Sequence, residues 1–174
     1  MTASEGGLRL VIGLTGYTCA GKSELSKLLG TKGFVRIDLG DLTREVAKAR
    51  GLSVSRDETW ALFASLVAEN PTWRVAPVLE RIRGSGSELV VLDGLRVKEE
   101  VEGLRRELGA RLLVVEVRTD EATRRKRAMA RRRDVDPIRW DDVAKERWEK
   151  MDREEVAMVD RVRPLVDVVA NGGI

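Results

Sequence analysis

Eight consecutive residues, Gly16-Tyr17-Thr18-Cys19-Ala20-Gly21-Lys22-Ser23, constrain this 174-residue chain more than any other stretch. They fit the pattern G-x-x-x-x-G-K-[ST] without a mismatch. Upstream, Leu8, Leu10, Val11, Ile12 and Leu14 read as a buried strand; downstream, Leu25, Leu28 and Leu29 recur at helical spacing. Between a strand and a helix, such a loop has a definite physical use. Its glycines let the backbone turn tightly with no Cβ in the way, and successive amides point inward as an anion nest at the positive end of the helix dipole. Lys22 is long enough to reach β- and γ-phosphates, and the Ser23 hydroxyl suits Mg²⁺. Gly16 through Ser23 are therefore expected to hold the phosphates of ATP, with Mg²⁺.

The length allows one well-buried α/β domain over residues 1–174 and is too short for two generous ones. A net charge of +3 is a modest excess, and the basic balance suits a polyanionic small molecule as well as nucleic acid. Histidine is absent, which removes imidazole acid–base chemistry, Ser-His triads and imidazole metal sites together. Cys19 is the single cysteine, so no internal disulfide or zinc cluster is available and a reducing, cytoplasmic setting is expected. No apolar run nears the length of a membrane span, and residues 1–7 form a polar arm without a signal-peptide core.

Further along, Phe34 to Asp38 reads as a second strand, followed by a helix with Leu39, Leu42, Val46 and Ala49 on one face. Ser55 to Glu58 is a capping-box pattern ahead of Trp60, Phe63, Leu66 and Val67. Val75, Val78, Leu79 and Ile82 mark another helix, in which Pro77 predicts a kink or a late start. Leu89 to Gly94 and Arg111 to Val117 are apolar strands flanking a helix with Val101, Leu104 and Leu108. A basic helix over 120–133, a turn at 134–137, a long helix carrying Trp140, Val143, Ala144, Trp148 and Met151, and a last strand over 165–170 complete the chain. Apolar strands separated by helices predict a three-layer α/β fold: a five-stranded parallel sheet covered on both faces. Residues 39–84 are too long for a simple crossover and are expected to form a small helical subdomain over the site, with a short lid at about 127–140.

Ligands of such sheets bind at the carboxyl ends of the strands. Asp93 ends an apolar strand in the position of an acid that holds Mg²⁺. Arg44 and Arg96 follow two strands and form a pair of guanidinium forks for an acceptor anion. Arg127 and Arg131 stand i, i+4 and are expected to reach over a transferring phosphoryl group. No aromatic residue interleaves the run from Arg124 to Arg133, which argues against stacking on single-stranded nucleic acid.

Together these residues resemble the nucleoside-monophosphate-kinase-like branch of the phosphate-loop kinases over nearly the whole chain. Gly40-Asp41-Leu42-Thr43-Arg44 is similar to a TGD-x-L-R segment, and Asp93-Gly94-Leu95-Arg96 to a DG-x-P-R segment, of adenylate kinases. The resemblance implies that Asp41, Arg44 and Arg96 hold an acceptor phosphate, that Arg127 and Arg131 lead into a lid, and that Asn171-Gly172 approaches adenine. Ile12 to Gly16 and Ile37-Asp38 with Arg44-Glu45-Val46 also resemble dephospho-CoA kinase, whose acids serve a hydroxyl acceptor, with Gly40 in place of the second acid. The best overall match is to archaeal-type proteins described as dephospho-CoA-kinase-like or nucleotide-kinase-like. The physics distinguishes the acceptors: a monophosphate needs arginines and no base, whereas a hydroxyl gains from an aspartate such as Asp38. Transfer from ATP to a small-molecule acceptor is the expectation, most favourably to a nucleoside monophosphate. An ATP-hydrolysing, RNA-associated switch is the alternative from another class. The chain stops where these kinases usually add a final helix, so one edge of the sheet is expected to be covered differently or by a partner subunit, a second copy of the chain among the options.

Overall fold

The computed structural model describes residues 7–130, 132–133, 136–137 and 142–172. Five strands form one sheet: β1 (Leu10–Thr15), β2 (Val35–Asp38), β3 (Leu89–Leu95), β4 (Leu112–Arg118) and a last strand, β7 (Val168–Asn171). All neighbours are parallel, in the order β2-β3-β1-β4-β7. Val90, Val91 and Leu92 are all fully buried because alternate side chains enter two different cores. On one face Val11, Val90, Leu92 and Val114 pack with Leu39 of α2 (Leu39–Ala49), Val101 and Leu104 of α5 (Lys98–Leu108) and Val162 of α7 (Asp142–Val162). On the other, Leu14, Val91 and Val115 pack with Leu25 and Leu29 of α1 (Lys22–Gly30). Each leucine fully buried in this way contributes about 1.5–3 kcal/mol.

Between β2 and β3 the chain forms α2, α3 (Arg56–Glu69) and α4 (Val75–Ser85), a helical layer with its own contacts among Ala47, Leu62 and Leu66. The Ser55 hydroxyl accepts from the Glu58 amide, so the capping pattern does start α3. Pro77 falls in the first turn of α4, as a late start requires: residues 71–74 form a turn and the helix begins at Val75, so Pro77 is its third residue, where its missing N–H would have had no intrahelical partner. The layer is fastened by a buried ion pair. Arg74 donates to Glu100 of α5 at 2.7 Å and to the Leu39 carbonyl at 3.3 Å, with its guanidinium 4.7 Å from the Phe63 ring centre.

Two boundaries differ from the sequence reading. The basic helix, α6 (Glu121–Ala130), stops three residues early, because Arg132–Arg133 (β5) pair with Asp136–Pro137 (β6) in a two-stranded antiparallel ladder. The last strand starts at Val168 rather than Leu165: Arg163–Leu165 form a 3-10 turn around Pro164, and the Asp167 carboxylate takes the Val114 amide at 2.8 Å. Among the described residues, no helix is long and apolar enough to cross a membrane.

Candidate functional site

The loop after β1 is positioned by Gly16. Its φ is +131°, and a Cβ there would lie 2.3 Å from the Val117 carbonyl oxygen on the adjacent strand, so no other residue fits between β1 and β4. Lys22, the first residue of α1, is buried, and its ammonium donates to the carbonyls of Gly16 at 2.6 Å and Tyr17 at 2.8 Å. Burial lowers its pKa to about 8, against the opposing pull of Glu155. Ser23 follows, half-buried, at the helix N-terminus.

Glu155 is the residue that sequence reasoning missed. From the middle of α7 its carboxylate enters the loop, accepting from the Thr18 amide at 2.6 Å and from Nε of Arg96 at 2.6 Å. Burial alone would push its pKa up; the charges of Arg96 and Lys22 and the two hydrogen bonds overcome this and hold it at about 2. A carboxylate thus rests where the sequence predicts phosphate oxygens. The signal was present: Glu155 shares a helical stripe with Trp148, Val159 and Val162, all buried, and an acid on an apolar stripe needs a specific partner.

Arg96 is aimed at this point by a bulge. Leu14 pairs with Asp93 but Thr15 with Leu95, leaving Gly94 at φ +107°; a Cβ at Gly94 would sit 3.0 Å from an Arg96 nitrogen. Asp93 is buried at the end of β3, in register with Leu14 on one side and Asp38 on the other. One of its oxygens accepts from Arg36 at 2.8 Å, a second residue the sequence reading did not select. Asp38 caps α2 by accepting from the Gly40 amide at 2.8 Å, and its other oxygen meets Arg44 at 3.2 Å. Arg44 also donates to Asp41, at 2.7 Å. The strand ends therefore bring together Arg36, Arg44 and Arg96 with Asp38, Asp41 and Asp93. Ser23 and Asp93 offer a hydroxyl and a carboxylate, the hard oxygen donors that Mg²⁺ takes.

Arg127 reaches the phosphate loop and the chain just past β7. Its guanidinium donates to the carbonyls of Cys19 at 3.2 Å, Ala20 at 3.3 Å and Gly172 at 2.6 Å. These partly negative carbonyls hold the arginine against the loop. Arg124 does similar work: it donates to the Thr18 carbonyl at 3.2 Å and to Asp152 at 2.7 Å, and lies 4.9 Å from the Tyr17 ring centre. Arg163 covers Tyr17 at 5.0 Å and donates to buried Glu116 at 3.0 Å. The Tyr17 hydroxyl donates to Asp160 at 2.5 Å, and burial raises its pKa to about 12. A cavity of about 420 Å³ opens beside these groups, lined by Tyr17, Glu116, Arg118, Asp120, Arg163 and Asn171. Arg131 and Trp140 lie outside the described residues.

Comparison with known proteins places the fold and the family. A family model described as an AAA domain (AAA_18) matches residues 12–156. A UPF0200 protein of Thermococcus kodakarensis is 33% identical over 140 residues, covering 76% of this chain and 74% of that protein. A UPF0200 protein of Methanosarcina mazei is 32% identical over 127 residues, covering 72% and 68%. Among solved structures, a gluconokinase from Sinorhizobium meliloti aligns at TM-score 0.56 and 15% identity over 96% of this chain and 85% of its own. Shikimate kinase from Acinetobacter baumannii aligns at 0.55 and 20% over 92% and 82%. The fold is that of the phosphate-loop kinases.

Proposed function

The chain belongs to the UPF0200 family, and from that footing we propose that it is an ATP- and Mg²⁺-dependent phosphotransferase whose acceptor is a small anionic molecule, in the first place a nucleoside monophosphate. The observation that carries this reading is the Glu155 carboxylate on the Thr18 amide between Lys22 and Arg96: the loop is built to take an anion.

In this reading the amides from Gly16 to Ser23 and the Lys22 ammonium hold the triphosphate tail, and the cavity beside Asn171 takes the nucleoside end. Ser23 and Asp93 hold Mg²⁺, which supplies charge neutralisation on the phosphate oxygens. Arg44 and Arg96 grip the acceptor, with Arg36 beside them and Asp41 orienting Arg44. An ionised acceptor oxygen attacks the terminal phosphorus in line while the oxygen bridging to the ADP unit leaves. Neither needs a protein base, so positioning and positive charge supply the catalysis. Arg127 fixes the loop's outer carbonyls, and Arg131 remains assigned to the lid by its spacing alone.

A hydroxyl acceptor is the second reading, favoured by Asp38 standing beside Asp93 at the strand ends. In the present geometry both Asp38 oxygens are engaged, by the α2 amide and Arg44, which favours the monophosphate. The deciding experiment incubates γ-labelled Mg·ATP with each nucleoside monophosphate and its deoxy form, with dephospho-CoA, and with gluconate and shikimate. A labelled nucleoside diphosphate is the expected product. A labelled hydroxyl compound would select the second reading, and RNA-stimulated release of inorganic phosphate with no labelled acceptor would overturn both.

A further inference from the structure

We propose that Glu155 is a displaceable counter-anion, holding the phosphate cradle until a polyphosphate takes its place and coupling that exchange, through α7, to the acceptor-side helix α3. The inference rests on the cradle being a polyphosphate site.

Glu155 uses groups that a phosphate chain would need: the Thr18 amide, the charge of Lys22 and the fork of Arg96. A buried carboxylate and a phosphate chain cannot share them, because each would lose its counter-charges to the other in a poorly solvated space. Polyphosphate binding therefore requires the carboxylate to leave. Arg96 is 23% exposed at its side chain, so it retains an open face toward the cleft when its partner moves.

Helix α7 is placed to transmit that movement. Its neighbouring residue Glu154 accepts from Trp60 of α3 at 2.6 Å. Three residues before Glu155, Asp152 holds Arg124 at the back of the loop; five residues after it, Asp160 holds Tyr17. Adjacent residues 154 and 155 thus tie α7 to the two walls of the cleft, acceptor side and donor side. A helix is stiff over one turn, so a shift of α7 that withdraws Glu155 also strains the Glu154–Trp60 bond, and filling one site then changes the affinity of the other reciprocally.

The test uses inorganic tripolyphosphate with Mg²⁺, a probe with neither nucleoside nor acceptor. Calorimetric titration of the wild-type chain and of Glu155→Gln is expected to show binding to both, at least about tenfold tighter in the variant. A purely structural Glu155 would leave the affinity equal or weaker, and that result overturns the proposal while the cradle reading stands. Binding to neither protein would remove the cradle reading and the proposal with it. Should Glu155→Gln fail to fold, amide exchange on the wild-type chain decides: saturating tripolyphosphate should speed exchange in residues 148–160 and around Trp60. Unchanged or slowed exchange there overturns the coupling.

Discussion

Two arginine–glutamate pairs of nearly equal length serve opposite ends. Arg74 and Glu100 meet at 2.7 Å with side chains 2% and 1% exposed; Arg96 and Glu155 meet at 2.6 Å with 23% and 3%. Around the first are the Phe63 and Trp73 rings and a backbone carbonyl, with no mobile charge to exchange with. Around the second are the Lys22 ammonium, the Thr18 amide that Glu155 accepts from, and the cleft. A buried ion pair becomes functional only where each partner has an alternative counter-charge. The core pair fastens the helical layer; the mouth pair can be traded for a ligand.

The largest effect expected from breaking this contrast is on the core pair. Glu100→Ala leaves Arg74 charged and unpaired inside the protein, a loss of about 3–5 kcal/mol, which at this chain length lowers Tm by on the order of 10 °C. Chemical denaturation should show that loss with no change in tripolyphosphate affinity among folded molecules. A shifted affinity would mean that the core pair also reports to the site.

Glu155→Gln should be less costly and pH-dependent. The folded pKa of about 2 lies below the unfolded value, so the stabilisation from the charge is complete above about pH 4.5 and is lost as pH falls toward 2. Urea midpoints should separate wild type from variant by on the order of 3 kcal/mol at pH 7, with the gap closing on the acid side. A constant gap from pH 7 to 3 would contradict an ionised Glu155.

Smaller effects sharpen the acceptor side. Arg44→Ala should raise the acceptor KM roughly tenfold while leaving the ATP KM near wild type, whereas Arg96→Ala should affect both because it borders both. Equal effects from the two variants would dissolve the distinction between the two walls of the cleft. Trp60→Phe removes one hydrogen bond to Glu154, about 0.5–1.5 kcal/mol, and should weaken communication between the sites while sparing each alone. Comparing tripolyphosphate affinity with and without acceptor measures it.

The sheet, its parallel order and the phosphate loop were legible because apolar runs and the spacing of Gly16, Gly21, Lys22 and Ser23 are local properties. Helix boundaries failed where a local rule was outvoted: Arg132–Arg133 left the helical pattern for a ladder, and Asp167 displaced a strand start with its carboxylate. Side-chain destinations were less legible. The partners of Arg127, the carbonyls of Cys19 and Ala20, could not be read from its spacing, because only the folded loop brings them to it. Arg36 was not singled out, because only the pairing of β2 with β3 sets it beside Asp93. Glu155 lies 137 residues from Thr18, and no window of sequence joins them; only its apolar stripe marked it.

The most direct test of the account is an equilibrium titration of Mg·ATP into the wild-type chain and into Lys22→Ala, with thermal melts of both. Saturable binding by the wild type and a loss of at least about 100-fold in the variant at comparable Tm is the expected result. Equal affinity in the two folded proteins would contradict it, because the cradle would then not be where the triphosphate is held.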